Sequence, residues 1–152
     1  MVTIEPPQSE INSVITLFSN GQFQDALDIV KTLIKNFPVD PLLHNIMGAC
    51  YAGLGQLGSA ISSYDKAITI KPDYAKAHYN LGGAYHELSK FDESIKSYES
   101  SLEFDPNYAQ AHNNLGSVLK ECGQLKGAIN SYEKALVINP EYVEAFFSIG
   151  II

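Results

Sequence analysis

AKAHYNLG at residues 75–82 returns as AQAHNNLG at residues 109–116, with two Ala and one each of His, Asn, Leu and Gly held at the same six places. The two copies lie 34 residues apart, and Pro38, Pro72, Pro106 and Pro140 keep the same interval. A period of that size marks a stack of like supersecondary units. With Pro7 as position one, repeats run 7–40, 41–74, 75–108 and 109–142. A tail at 1–6 precedes them, and 143–152 opens the first helix of an incomplete fifth repeat.

Each unit reads as two helices. Apolar or small residues fall at positions four, seven, eight and eleven, as in His44, Met47, Gly48 and Tyr51, which is the spacing of one helix face. A second stripe occupies positions 17, 20, 21, 24, 27 and 28, as in Leu125, Ala128, Ile129, Tyr132, Ala135 and Leu136. Between the stripes stand Gly21, Gly55, Ser89 and Gly123, where a left-handed or tight backbone reverses the chain. The proline at position 32 stops the second helix, because it lacks a backbone donor and biases its predecessor away from helical angles. Asp40-Pro41 has the form of an N-cap followed by a first helical residue. The expectation is an all-α stack of nine helices, the last beginning near Val143, with no strand.

Composition bounds the function. The chain has 152 residues, 45% of them hydrophobic and 18% charged, the balance of a folded soluble domain and not of a disordered or collagen-like chain. No apolar run reaches membrane-span length, and residues 1–10 lack the basic start and apolar stretch of a secretory signal, so a cytoplasmic location is expected. The net charge is −7 and all ten basic residues are lysines. That balance speaks against nucleic acid, which needs positive charge to displace phosphate counterions. Without arginine, bidentate phosphopeptide recognition is disfavoured as well.

Leu81-Gly82 and Leu115-Gly116 at positions seven and eight, Tyr51 and Tyr85 at eleven, Ala26, Ala60 and Ala128 at twenty, Ala67 and Ala135 at 27, and Pro at 32 carry a family resemblance. The pattern resembles the tetratricopeptide repeat over residues 7–150. Departures are His for Trp at position four, Ser94 and Ser101 for alanines, and Ser13-Val14 for Leu-Gly in the terminal first repeat. The resemblance implies antiparallel helix pairs in a right-handed superhelical solenoid and a protein- or peptide-binding role.

The recurrent residues read as structural. Gly48, Gly82, Gly116 and Gly150 mark position eight as a close helix crossing. His44, His78 and His112 recur in phase, which places them on successive helices roughly 8 to 10 Å apart, too far to share a metal ion. They are expected to be packing residues, with His86 alone facing elsewhere. Cys50 and Cys122 lie two repeats apart, beyond disulfide reach, and are expected as free thiols. No nucleophile-base pairing, phosphate loop or metal set emerges, so neither catalysis nor a cofactor is expected.

Positions two, five, six, nine, twelve and thirteen lie away from the packed stripe and are expected to line an inner wall. Repeats one and two place Ile11, Ile15, Phe18, Leu42 and Ile46 there, with Asn12 and Asn45, as an apolar half. Repeats three and four place Lys76, Tyr79, Asn80, His86, Gln110, Asn113, Asn114 and Lys120, a polar half. Amides that hydrogen-bond a backbone beside an apolar receptor suit an extended peptide.

Within the family, the carboxylate clamp uses lysines, an arginine and asparagines. Here the arginine is missing and position five holds Ile11, Asn45, Tyr79 and Asn113 in place of a lysine, so a clamp is not expected. Asn12, Asn80 and Asn114 at position six are similar to the asparagine ladder of O-linked N-acetylglucosamine transferase arrays, although Ile46 interrupts it. These asparagines either bind a ligand or only solvate a helix face. The expected function is a non-catalytic binding scaffold for a protein or peptide, without nucleic acid or membrane. The alternatives are a substrate-recruiting segment of a larger transferase-type enzyme and a self-assembling scaffold. For the last, Phe146, Phe147, Ile149, Ile151 and Ile152 form an apolar C-terminal interface through which the chain is expected to associate with itself.

Overall fold

A computed structural model describes residues 5–150 and contains nine helices and no strand among them. The chain divides into two compact units, Met1–Pro72 and Asp73–Ile152. The first holds α1 (Gln8–Ser19), α2 (Phe23–Asn36), α3 (Pro41–Gly53) and α4 (Leu57–Ile70). The second holds α5 (Ala75–Glu87), α6 (Phe91–Phe104), α7 (Ala109–Glu121), α8 (Leu125–Ile138) and α9 (Val143–Gly150). Within each unit the two helices of a repeat pack together, and each second helix also packs on the next first helix.

The turns between paired helices follow one device. Gly21, Gly55, Ser89 and Gly123 take φ of 75, 75, 56 and 74°. In the first turn the Gly21 N–H bonds the Phe18 carbonyl and the Gln22 N–H bonds the Leu17 carbonyl, at 3.0 and 2.9 Å. This is a Schellman ending, which satisfies carbonyls that the helix leaves open and requires a left-handed residue. The same pair of bonds recurs at Gly55, Ser89 and Gly123. Ser89 therefore holds, with a side chain, a conformation that its three counterparts hold without one. Asp40 caps α3, its carboxylate accepting from the Leu43 N–H at 3.0 Å.

Position eight is a close crossing in three repeats. A Cβ built on Gly82 would lie 2.8 Å from Tyr98 Cδ1, and one on Gly116 would lie 2.7 Å from Tyr132 Cε1. Gly48 meets Tyr64 in the same way. In each case the ring comes from position 24 of the same repeat and is buried. Gly150 departs from the expectation, because a Cβ there would meet nothing within 4 Å.

The histidines at position four pack inside, as their phase implied. His44 and His112 are buried and place Nε2 2.8 and 2.9 Å from the carbonyls of Pro38 and Pro106, while His78 stacks on Phe104 at 5.5 Å. The repeat-defining proline is thus the acceptor for the histidine six residues on. The serines that replace alanines are satisfied across the helix pair: Ser94 Oγ donates to the Gly82 carbonyl and Ser101 Oγ to that of Ala75, both at 2.8 Å. Cys50 is buried and Cys122 exposed, both free.

Candidate functional site

The surface of the first helices is narrower than the sequence pattern implies. At roughly 100° per residue, positions three and ten lie on one flank of the packed stripe and positions five and twelve on the other. Both flanks hold buried residues. On the first, Leu43 and Cys50 join the core formed by Ala26, Leu27, Val30 and Leu33 of α2. Ala145 does the same with Ala128, Tyr132 and Ala135 of α8. On the second flank, Ile11, Asn45 and Asn113 are only 5, 4 and 6% exposed, so these three expected wall residues are interior residues. What remains open is centred on positions two, six, nine and thirteen.

In the first unit this remaining face is apolar. Ile15 and Leu42 are 49 and 38% exposed, while Phe18 and Ile46 are half-buried against the core beneath. Asn12 is exposed and its Oδ1 accepts from Gln8 Nε2 at 2.9 Å.

In the second unit the face is polar and internally bonded. Lys76 and Gln110 are exposed, and Asn80, Asn114, His86 and Lys120 are half-buried. Asn114 Nδ2 donates to the Tyr79 hydroxyl at 3.1 Å, joining position six of repeat four to position five of repeat three. The other end of the same seam is tied by His86 Nε2 and Glu121 Oε1 at 2.7 Å. Tyr79 lies against Tyr108 and Tyr98, with ring centroids 4.7 and 5.8 Å away.

Burial is the main reason all three tyrosines hold their protons more strongly than usual. Tyr108 is pushed up to about 12, with Tyr79 and Asp105 adding to the effect. For Tyr79 and Tyr98 the Asn114 hydrogen bond opposes burial in part. At neutral pH these hydroxyls therefore remain neutral donors and acceptors. Beside the seam, Ser117, Lys120, Glu121, Tyr132 and Ser148 line an open cleft of about 420 Å³.

Two features of this site escaped the sequence pattern. Tyr108 was not among the expected wall residues, although its place just before α7 sets it on Tyr79. The pairing of His86 with Glu121, 35 residues apart, also lies beyond what a single repeat's pattern shows. Burial pushes the Cys50 thiol up to about 11, and the described residues include no metal-holding group of His, Cys, Asp or Glu. Among them, no helix is long and apolar enough to cross a membrane.

At the C-terminal end, Phe146 and Phe147 are 68 and 62% exposed. Ile149 is half-buried and packs on the α8 core, so it belongs to the fold and not to an outer patch. Ile151 and Ile152 lie outside the described residues.

Comparison with known proteins agrees with the architecture, since the TPR repeat family matches residues 48–89, 83–121 and 116–152. The chain belongs to the TPR repeat family. Its all-helical fold is shared with MamA, whose crystal structure superposes with a TM-score of 0.82 at 28% identity, covering 91% of this chain and 81% of that one. YrrB, described as a TPR protein with an unusual peptide-binding site, superposes with a TM-score of 0.78 at 18% identity, covering 91% and 72%, a likeness of fold.

Among curated proteins, the peroxisomal targeting signal receptor of Kluyveromyces lactis is 30% identical over 74 residues, 49% of this chain and 13% of the receptor. The Hsp70-Hsp90 organising protein of Plasmodium falciparum is 31% identical over 61 residues, 40% of this chain and 24% of that protein. The matched stretches thus span an eighth to a quarter of those relatives.

Proposed function

We propose that this TPR chain is a non-catalytic scaffold that binds extended segments of partner proteins on the open faces of its first helices. The observation that carries the reading is the pair of open faces: an apolar one in the first unit with Ile15 and Leu42 exposed and Ile46 half-buried, and a polar one in the second with Lys76 and Gln110 exposed and Asn80 half-buried. An apolar face accepts side chains, while amides and ammonium groups bond a peptide backbone or its carboxylates. The names of the receptor and the chaperone organiser, both acting on other proteins, support a binding role. Asn12, Asn80 and Asn114 would be the ladder positions in this reading, with Asn114 already donating an amide proton to the Tyr79 hydroxyl.

The test is a peptide-library screen followed by calorimetry on the selected sequence. Ile15→Asp and the Asn80→Ala, Gln110→Ala pair report on the two faces separately. Each lost hydrogen bond should weaken binding by about 0.5 to 1.5 kcal/mol. Unchanged affinity in all of these variants would place the site elsewhere.

Self-association is a second reading, favoured by the exposure of Phe146 and Phe147. Sedimentation across a wide concentration range should show dimers or larger species that Phe146→Ser with Phe147→Ser removes. A monomer at every concentration refutes it.

A further inference from the structure

Away from the first-helix faces, the second unit carries an open cleft of about 490 Å³ between α6 and α8. Leu102, Leu115 and Leu119 supply its apolar lining, beside His112, Asn130 and Ser131. One wall holds the carboxylates of Glu99 and Glu103, both exposed and one helical turn apart. Among the described residues neither carboxylate is hydrogen-bonded or ion-paired, and Lys134 stands on the opposite wall.

The repeat supplies its own comparison in the first unit. Glu99 and Glu103 occupy positions 25 and 29 of repeat three, where repeat one has Lys31 and Lys35. Lys31 lays its ammonium over the Tyr51 ring, 5.5 Å from the centroid. Tyr51 is the position-eleven residue of the next first helix, the place that Leu119 takes in the second unit. The same notch is therefore covered by the chain's own cation in one unit. In the other it is left open, with Glu99 and Glu103 where repeat one has its lysines and Lys134 across from them. Gly127 widens it further, since a Cβ there would make only an ordinary 3.4 Å contact with Leu119 Cδ1.

We propose that the cleft between α6 and α8 docks a lysine- or arginine-bearing apolar segment of a partner protein, its cations against Glu99 and Glu103 and its apolar side chains on Leu102, Leu115 and Leu119. Charge and shape both select this occupant. An apolar lining beside unpaired carboxylates favours a side chain that buries its alkyl part and keeps a cationic head at the rim, as lysine and arginine do. The two carboxylates, separated by roughly 6 Å along the helix axis, match cations on alternate residues of an extended chain. This surface is independent of the first-helix faces, so either assignment can fail without the other.

The experiment uses the whole chain and a fluorescein-labelled peptide of alternating leucine and lysine, read by anisotropy. Saturable binding with one peptide per chain is expected. Glu99→Lys with Glu103→Lys, which restores the charges of repeat one, should weaken binding by about fivefold or more, whereas Asp25→Lys with Asp28→Lys, an equal charge change in the first unit, should not.

Gly127→Leu should weaken binding comparably while leaving the acidic wall intact, because the added side chain fills the cleft. Circular dichroism confirms that each variant stays helical. Several results overturn the proposal: no binding, equal binding of a leucine–glutamate or serine–lysine peptide, equal loss in the first-unit control, or full affinity in Gly127→Leu.

Discussion

Gly82 and Gly83 are neighbours in α5, yet alanine at the two positions should act with opposite sign. Both substitutions gain up to about 1 kcal/mol from the lower backbone entropy of alanine in a helix. At Gly83 nothing opposes that gain, since the new Cβ would lie 3.6 Å from the Tyr98 hydroxyl, an ordinary contact. At Gly82 the Cβ would lie 2.8, 2.9 and 3.0 Å from three carbons of the same ring. Carbon atoms prefer about 3.5 to 4.0 Å, so the ring must retreat by the better part of an ångström. Tyr98 cannot do so freely. It is 1% exposed and packed in a cluster with Leu115 and Val118.

Overpacking of this kind costs about 1 to 3 kcal/mol, which exceeds the helical gain in most of that range. Gly82→Ala should therefore unfold at lower denaturant than the parent and Gly83→Ala at higher, the pair differing by about 1 to 3 kcal/mol. Urea titration followed by circular dichroism measures both midpoints. Equal midpoints for the two variants would refute the close crossing and, with it, the packing account of the repeated glycine.

Ser89→Gly removes a side chain from a φ of 56° and should raise stability by about 1 kcal/mol, measured by the thermal midpoint. Gly123→Ser, the reverse change at the equivalent turn, should lower it by a similar amount. Ser94→Ala should cost about 0.5 to 1.5 kcal/mol in urea titration, because the hydrogen bond to the Gly82 carbonyl is lost while that carbonyl keeps its helical partner. At alkaline pH, burial holds the Tyr108 proton to about 12 against 10.0 for an ordinary tyrosine, and moves Tyr79 and Tyr98 in the same direction. The unfolded chain loses these protons first, so this contribution is full below about pH 10 and disappears as pH rises through 12. Tyrosinate absorbance should rise together with loss of helicity, and early ionisation of all tyrosines in a folded chain would contradict it.

Period and turn chemistry made the helices legible. The 34-residue spacing fixes where each proline stops a helix, and the left-handed residue at position fifteen fixes where each pair reverses. Both signals are local, so no knowledge of neighbouring repeats is needed to read them. The glycine at position eight was legible for a related reason, since its partner tyrosine lies sixteen residues on in the same repeat. Gly150 shows the limit of that inference. The sequence matches the pattern, but among the described residues no ring arrives to make the crossing close.

The candidate site was less legible because it depends on contacts between repeats. A helical wheel gives the direction of each side chain relative to its own helix and says nothing of the helices on either flank. Ile11, Asn45 and Asn113 point away from their own second helix, which made them wall residues in the sequence, yet they are buried. Asn113 and Asn114 show how sharp the distinction is. They are consecutive and identical, but Asn113 is buried with Oδ1 lacking a partner, whereas Asn114 reaches Tyr79 across the repeat boundary.

A polar residue at an inner position can thus hold the array together as readily as it can hold a ligand. Loss of affinity in Asn114→Ala therefore identifies a ligand contact only if stability is unchanged in the same variant. Asn80 and Gln110, on the open face, are subject to the same requirement, and the exposed Gln110 is the residue at which binding and stability should separate most cleanly.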